Sequence, residues 1–243
     1  MTARLYSLSL SHPARTSRLM LEFKGIDHEV VDLLPGMHPV QLRAARFRHG
    51  TVPALKVDGK RIQGSVPISR FLERLRPQPP LFPTEPAPRQ AVKEAEAWGE
   101  RELQPIPRQI FRWGTVRARE LRRWIAELSG IPAPDLAATL NPPLARRFAR
   151  LSDASDEVVR ANLQALPAML DRVDRWIGDG ILGGAQTNAA DCQIASSIRV
   201  LLAYPDLQPA LAGRPCAELA ERLFPSYPGP IPLPLPAGWA PAG

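Results

Sequence analysis

Polar and apolar residues alternate at the start of the chain: from residue 4 to 10, Tyr6, Leu8 and Leu10 fall on one side and Leu5, Ser7 and Ser9 on the other, the two-residue period of a strand. Ser11-His12-Pro13 breaks the alternation. Pro13 suits the first turn of a helix, where its missing N–H is not needed, and this helix is predicted to run to about Lys24 with Gly25 as its stop. His28 to Leu34, carrying Val30, Val31 and Leu33, predicts a second strand parallel to the first. The turn-rich stretch Pro35 to Pro39 leads to a short helix from Val40 to Phe47. Thr51-Val52-Pro53-Ala54-Leu55 enters a third strand, Asp58-Gly59 is a hairpin signal, and Arg61-Ile62-Gln63 returns antiparallel. Ser65 stands at an N-cap position before Ile68, Phe71, Leu72 and Leu75, spaced i, i+3, i+4 and i+7.

Beyond this point the pattern changes from period two to helical periods only. Prolines 77, 79, 80, 83, 86 and 88 mark a stiff linker. Arg89 to Glu102 carries Ala91, Ala95 and Trp98 on one helical face, and Pro105 and Pro107 interrupt or kink the chain after it. Val159, Leu163, Leu166, Leu170, Val173 and Ile177 form a long apolar stripe across Pro167. Asn188 and Asp191 have the spacing of a capping box ahead of Ile194, Ile198 and Leu201, and Cys216, Leu219, Ala220 and Leu223 line one more helical face. Residues 225–243 hold seven prolines and are expected to be extended, with Trp239 as an anchor if the arm packs. The organisation expected is 1–77 as an α/β domain, 78–88 as a linker, 89–224 as an all-helical domain and 225–243 as a tail.

Composition narrows the function without naming it. Hydrophobic residues make up 44% and charged residues 23%, the balance of a globular chain. No apolar run is long enough to span a bilayer and no apolar signal core opens the sequence, so the expected address is cytoplasmic, with no membrane partner. Two cysteines, Cys192 and Cys216, show no C-x-x-C or zinc spacing, and the four histidines show no paired helical spacing; no metal is expected. The net charge of +7 comes from 27 arginines and four lysines spread through most segments, and the cluster Arg117 to Arg123 is unaccompanied by any nucleic-acid-binding motif, so no nucleic-acid role is expected.

Strand, Ser11-His12-Pro13-Ala14-Arg15, a helix ending Leu21-Glu22-Phe23-Lys24-Gly25-Ile26, then Thr51-Val52-Pro53-Ala54-Leu55 and Gly64-Ser65 opening a helix together resemble the thioredoxin-like half of the cytosolic glutathione transferases, in a serine-type, theta-like bacterial form. The resemblance extends from about residue 4 to 224. It implies a thioredoxin-like N-terminal domain followed by an all-α domain, a cis bond before Pro53, and a Val52 main chain that pairs with the backbone of glutathione, adding a peptide to a strand edge. It implies that Ser65 receives the γ-glutamyl end at a helix N-terminus and that His38 lies in the loop reaching the glycyl end. Ser11 takes the place where redox relatives carry a cysteine; with no thiol at Ser11 or Ala14, disulfide exchange by the chain itself is excluded, and a hydroxyl that stabilises a bound thiolate is implied. Tyr6 and Ser9 are rivals for that role.

Most relatives have Glu or Gln where this chain has Gly64, leaving one γ-glutamyl contact missing; Gln63 would replace it only if the strand end twisted. Gln104, Arg108, Phe111 and Trp113 are the positions implied for the electrophile, and an arginine there favours an anionic substrate. The activity implied is conjugation of glutathione, as co-substrate, to a small apolar electrophile by a homodimer. The alternatives are a non-catalytic glutathione- or ligand-binding protein on the same scaffold, or a glutathione-dependent isomerase or dehalogenase.

Overall fold

The computed structural model describes residues 2–241. Contacts divide the chain into two compact units, Met1–Glu100 with Gly178–Ser196, and Arg101–Ile177 with Ser197–Gly243. In the first, β1 (Ala3–Ser7), α1 (His12–Phe23), β2 (His28–Asp32), α2 (His38–Ala44), β3 (Ala54–Val57), β4 (Lys60–Gln63), α3 (Ser65–Leu75) and α4 (Pro86–Trp98) succeed one another. The sheet has the order β2-β1-β3-β4, with β2 parallel to β1 and the other pairs antiparallel. This is the α/β arrangement that the alternation and the hairpin signal predict.

Boundaries depart from the sequence expectation where backbone geometry overrides side-chain period. The first strand stops at Ser7, because the Ser11 N–H bonds back to the Leu8 carbonyl at 2.8 Å and folds residues 8–11 into a turn; Leu8 and Leu10 are outside the strand. Ala3, Leu5 and Ser7 face the interior, while Tyr6 meets Phe47 edge-on at 5.2 Å in a second cluster with Leu33, Leu42 and Ala54. The third strand begins at Ala54, after a cis Val52–Pro53 bond.

Lys24 fastens the proline-rich segment. It is fully buried, and its Nζ donates to Glu73 Oε2 at 2.6 Å and to the carbonyls of Arg76 and Pro79 at 2.7 and 2.6 Å. A buried ammonium is tolerated because its donors are taken up; removing the carboxylate alone would cost about 3–5 kcal/mol.

A single π turn, Gly99–Leu103, comes after α4, and the helices α5 (Pro105–Arg117), α6 (Arg119–Leu128), α7 (Pro134–Leu140), α8 (Pro142–Leu151), α9 (Asp156–Gly178), α10 (Ala189–Leu201), α11 (Gln208–Leu211) and α12 (Pro215–Leu223) complete the chain. Pro105 opens α5 instead of breaking it, since the first turn needs no N–H there. Five residues of the predicted stripe on α9, from Val159 to Val173, are buried, with Pro167 inside the helix. Asn188 Oδ1 accepts from the N–H of Ala190 and Asp191 at 2.9 and 3.0 Å, and Asp191 reaches back to the N–H of Asn188 and of Gly183 at 2.9 and 2.8 Å, so the capping box is complete.

The proline-rich tail has no regular structure up to Pro236, yet it is packed: Ile231 and Leu233 are buried, the Ile231 N–H bonds the Ala203 carbonyl at 2.7 Å, and Trp239 stacks against Trp113 at 5.5 Å.

Candidate functional site

Sheet register brings the candidate residues of the first unit to one end of the sheet. Ser7 at the end of β1 pairs with Asp32 at the end of parallel β2, so the chain leaves both strands on the same side, toward Ser11 and His38. Tyr6 pairs with Ala54, which sets the cis Val52–Pro53 bond beside the same end of β1. Ala54 in turn pairs with Gln63, and the Gly64 N–H bonds the Pro53 carbonyl at 3.0 Å, placing Ser65 next in line.

Ser11 is the N-cap of α1, with extended backbone and a half-buried side chain. Its Oγ accepts from the Ala14 N–H at 3.3 Å. That bond uses an oxygen lone pair and leaves the hydroxyl proton unspent, at the end of a helix whose N–H groups and dipole favour a negative charge. Tyr6 is engaged by Phe47 in the core cluster. Ser9 is exposed, and its carbonyl holds Arg15 Nη2 at 3.3 Å.

Among the described residues nothing hydrogen-bonds the main chain of Val52. The sequence pattern puts Ser65 at an N-cap, but Gly64 occupies that position, at φ +93°, and Ser65 is the first residue of α3. The physical reason is that left-handed backbone at the turn from β4 into α3 suits a residue without Cβ. Ser65 is 2% exposed and its Oγ has no hydrogen-bond partner. A buried hydroxyl left unpaired costs about 1–3 kcal/mol.

Gln63 does not replace the contact missing at Gly64. Its amide is committed to the preceding loop: Oε1 accepts from the His49 N–H at 2.9 Å, and Nε2 donates to the carbonyls of His49 and Thr51 at 2.8 and 3.2 Å. His38 is not in the loop: it begins α2 and is buried.

Under α3 lies a charged group that the sequence pattern does not single out. Glu96 of α4 is fully buried, with Oε1 2.6 Å from Ser69 Oγ and Oε2 2.6 Å from Arg70 Nη1, while Arg70 also covers the ring of Phe82 at 4.3 Å. Ser69 Oγ is also 2.8 Å from the Val66 carbonyl in the first turn of α3. Ser69 has one proton for two acceptors, and a protonated Glu96 resolves the conflict by donating to Ser69, which then donates to Val66. Consistent with this, burial pushes the Glu96 carboxyl up to about 7, against the opposing pull of Arg70 and Ser69. The signal present in the sequence is a carboxylate set between the buried positions Val92, Ala95 and Trp98.

Both cysteines are buried thiols: burial pushes Cys192 well up, and burial with the Asp174 carboxylate pushes Cys216 up to about 12. Among the described residues no group of three or more His, Cys, Asp or Glu could hold a metal, and no helix is long and apolar enough to cross a membrane.

The four electrophile candidates lie in the second unit. At about 100° per residue, Gln104, Arg108 and Phe111 share one face of α5 and its leading turn, while Trp113 falls on the opposite face. Trp113 is buried there, its Nε1 donating to Asp156 Oδ1 at 2.6 Å and its ring against Trp239. It is a packing residue of the helical unit, a correction that helical period alone could have made.

Residues 5–80 match the family model described as glutathione S-transferase, N-terminal domain. The maleylacetoacetate isomerase of Rattus norvegicus is 37% identical over 93 residues, which take in 37% of this chain and 43% of that protein; the match spans less than half the length of that curated relative. A glutathione S-transferase of Methylobacterium radiotolerans, solved with glutathione sulfonate, is 22% identical and covers 97% of both chains with a TM-score of 0.58. The beta-etherase LigF of Sphingobium is 20% identical and covers 93% of this chain and 99% of its own, with a TM-score of 0.65; at these identities the likeness is one of fold. Residues 5–80 thus match the N-terminal domain of the glutathione S-transferases, and the fold over nearly all of the chain is the one seen in those solved structures.

Proposed function

We propose that the chain is a glutathione transferase in which Ser11 activates the thiol. The observation that carries this reading is the uncommitted proton of Ser11, at the sheet end that also holds the open main chain of Val52 and the unpaired hydroxyl of Ser65. Val52 pairs with the glutathione backbone beside Pro53, Ser65 and the N–H groups of α3 take the γ-glutamyl carboxylate, and His38 lies toward the glycyl end. Gly64 contributes backbone alone. Ser11 donates its proton to the sulfur, and the dipole of α1 adds to the preference for thiolate.

A free thiol titrates near ~8.5, and lowering that by about two units requires roughly 2.7 kcal/mol of preferential thiolate stabilisation. One charge-assisted hydrogen bond contributes about 1.5–3 kcal/mol, which is the right size. The thiolate then attacks a small electrophile. The isomerase name of the curated relatives supports a second reading, in which the same thiolate adds to an unsaturated acid and leaves again after rotation about the former double bond. Homodimerisation and a cytoplasmic address belong to this proposal and rest on the family likeness alone.

The test is a titration of bound glutathione followed by the ultraviolet band of its thiolate, in wild type and Ser11→Ala. Wild type should bind glutathione with its thiol pKa lowered by about two units, and Ser11→Ala should bind it within a few-fold but return most of the shift. Binding by wild type with an unshifted thiol would sink the transferase mechanism.

A further inference from the structure

Arg112 stands apart from the other half-buried arginines of the chain. Each of those has an acceptor: Arg15 the Ser9 carbonyl, Arg70 the Glu96 carboxylate, Arg89 the Pro83 carbonyl, Arg122 the carbonyls of Thr115 and Ala138, Arg199 the Phe224 carbonyl, and Arg214 the carboxylates of Asp171 and Asp174. Arg112, on α5, covers the ring of Phe148 on α8 with its Cζ 4.7 Å from the ring centre, and among the described residues its guanidinium has neither a hydrogen-bond acceptor nor a carboxylate. The charged residue bearing on it is another cation, Arg108, one turn earlier on the same helix.

A guanidinium withdrawn from water beside a like charge is unfavourable for the protein alone. Burial and the Arg108 charge lower the Arg112 pKa to about 10, far above neutrality, so the positive charge persists. The ring of Phe148 covers one face of the guanidinium and leaves its planar row of N–H donors for an acceptor in the same plane, the geometry that a carboxylate matches with two parallel bonds. Phe111, half-buried on the stripe it shares with Arg108, adds apolar surface.

We propose that Arg112 and Arg108 form an anion site on α5 that takes a small organic carboxylate with an aromatic or apolar body. Arg112 makes the bidentate contact, and Arg108 raises the local positive potential from the exposed side. The site belongs to the helical unit alone and does not require that the thiol site take glutathione.

Calorimetric titration of the full chain with sodium benzoate, without glutathione, tests it, with benzyl alcohol as the uncharged probe of the same shape. Benzoate should bind at least ~10-fold more tightly than benzyl alcohol, which is about 1.4 kcal/mol. Arg112→Met should reduce benzoate affinity ~10-fold or more, Arg108→Gln by a smaller factor, and Arg112→Lys should restore part of the loss. Because Arg112 has no hydrogen-bond acceptor or carboxylate to lose, and Met keeps an apolar contact with Phe148, Arg112→Met should melt close to wild type. The proposal is overturned if wild type prefers benzyl alcohol or ignores benzoate, or if Arg112→Met keeps full benzoate affinity. It is equally overturned if Arg112→Met unfolds or melts well below wild type, since the guanidinium would then be holding the helices together.

Discussion

Two helices that begin in the first unit, α3 and α10, start in opposite ways. At α10 the chain satisfies itself: Asn188 and Asp191 take up the first N–H groups, and Asp191, 1% exposed, also holds the Gly183 N–H. At α3 the cap is a glycine without a side chain, and the serine next to it is buried with its hydroxyl unpaired. The same backbone need, donors left over at a helix N-terminus, is met by folding in one case and, on the proposed function, by glutathione in the other.

Three substitutions sharpen or break this contrast. Asp191→Ala should have the largest effect, since it strips two part-buried N–H groups of their carboxylate and empties a buried position; a loss of about 3 kcal/mol in denaturant unfolding is expected, with the glutathione affinity of the folded fraction unchanged. Glu96→Gln comes next and acts through pH. A carboxyl whose pKa is raised to about 7 in the folded protein binds its proton more tightly than in the unfolded chain, so its contribution is full below about 4.5 and is lost as pH rises through 7. Wild-type stability should therefore fall by roughly 3 kcal/mol across that window relative to Glu96→Gln, and a Gln variant with the same slope would show that Glu96 is already ionised when folded. Ser65→Ala should have the smallest effect on folding, within about 1 kcal/mol of wild type by thermal unfolding, because no bond is lost. It should weaken glutathione binding by about 10-fold; an Ala variant that binds as well as wild type would assign the hydroxyl no ligand and remove the contrast.

Period and turn chemistry make most of the first unit legible from the amino acids alone. Alternation locates the strands, Asp58-Gly59 locates the hairpin, and Asn188 with Asp191 locates a capping box that the structure reproduces bond for bond. What escapes depends on backbone geometry or distant partners. Serine is a good cap, so pattern alone assigns the place before α3 to Ser65, whereas the sharp entry from β4 gives it to Gly64. Gln63 reads as a possible ligand contact because nothing local shows that its amide spans back to His49 and Thr51. Trp113 groups with Phe111 by proximity in sequence, although two residues apart on a helix means opposite faces. Glu96 and Arg112 escape for the same reason: a charge on a helix carries information only when its partner, or the lack of one, is known.

The C-terminal arm depends on an atom that is missing. Proline has no amide hydrogen, so a segment with seven prolines in residues 225–241 enters an apolar seat with few donors to satisfy, and its side chains do the anchoring. Leu233 fits because Gly114 has no Cβ: a methyl there would collide with the Leu233 side chain and come within 2.9 Å of Leu121. One extra carbon on α5 would thus press directly on the leucine that seats the arm, so the fit of residues 225–241 answers to a single hydrogen in the middle of the chain.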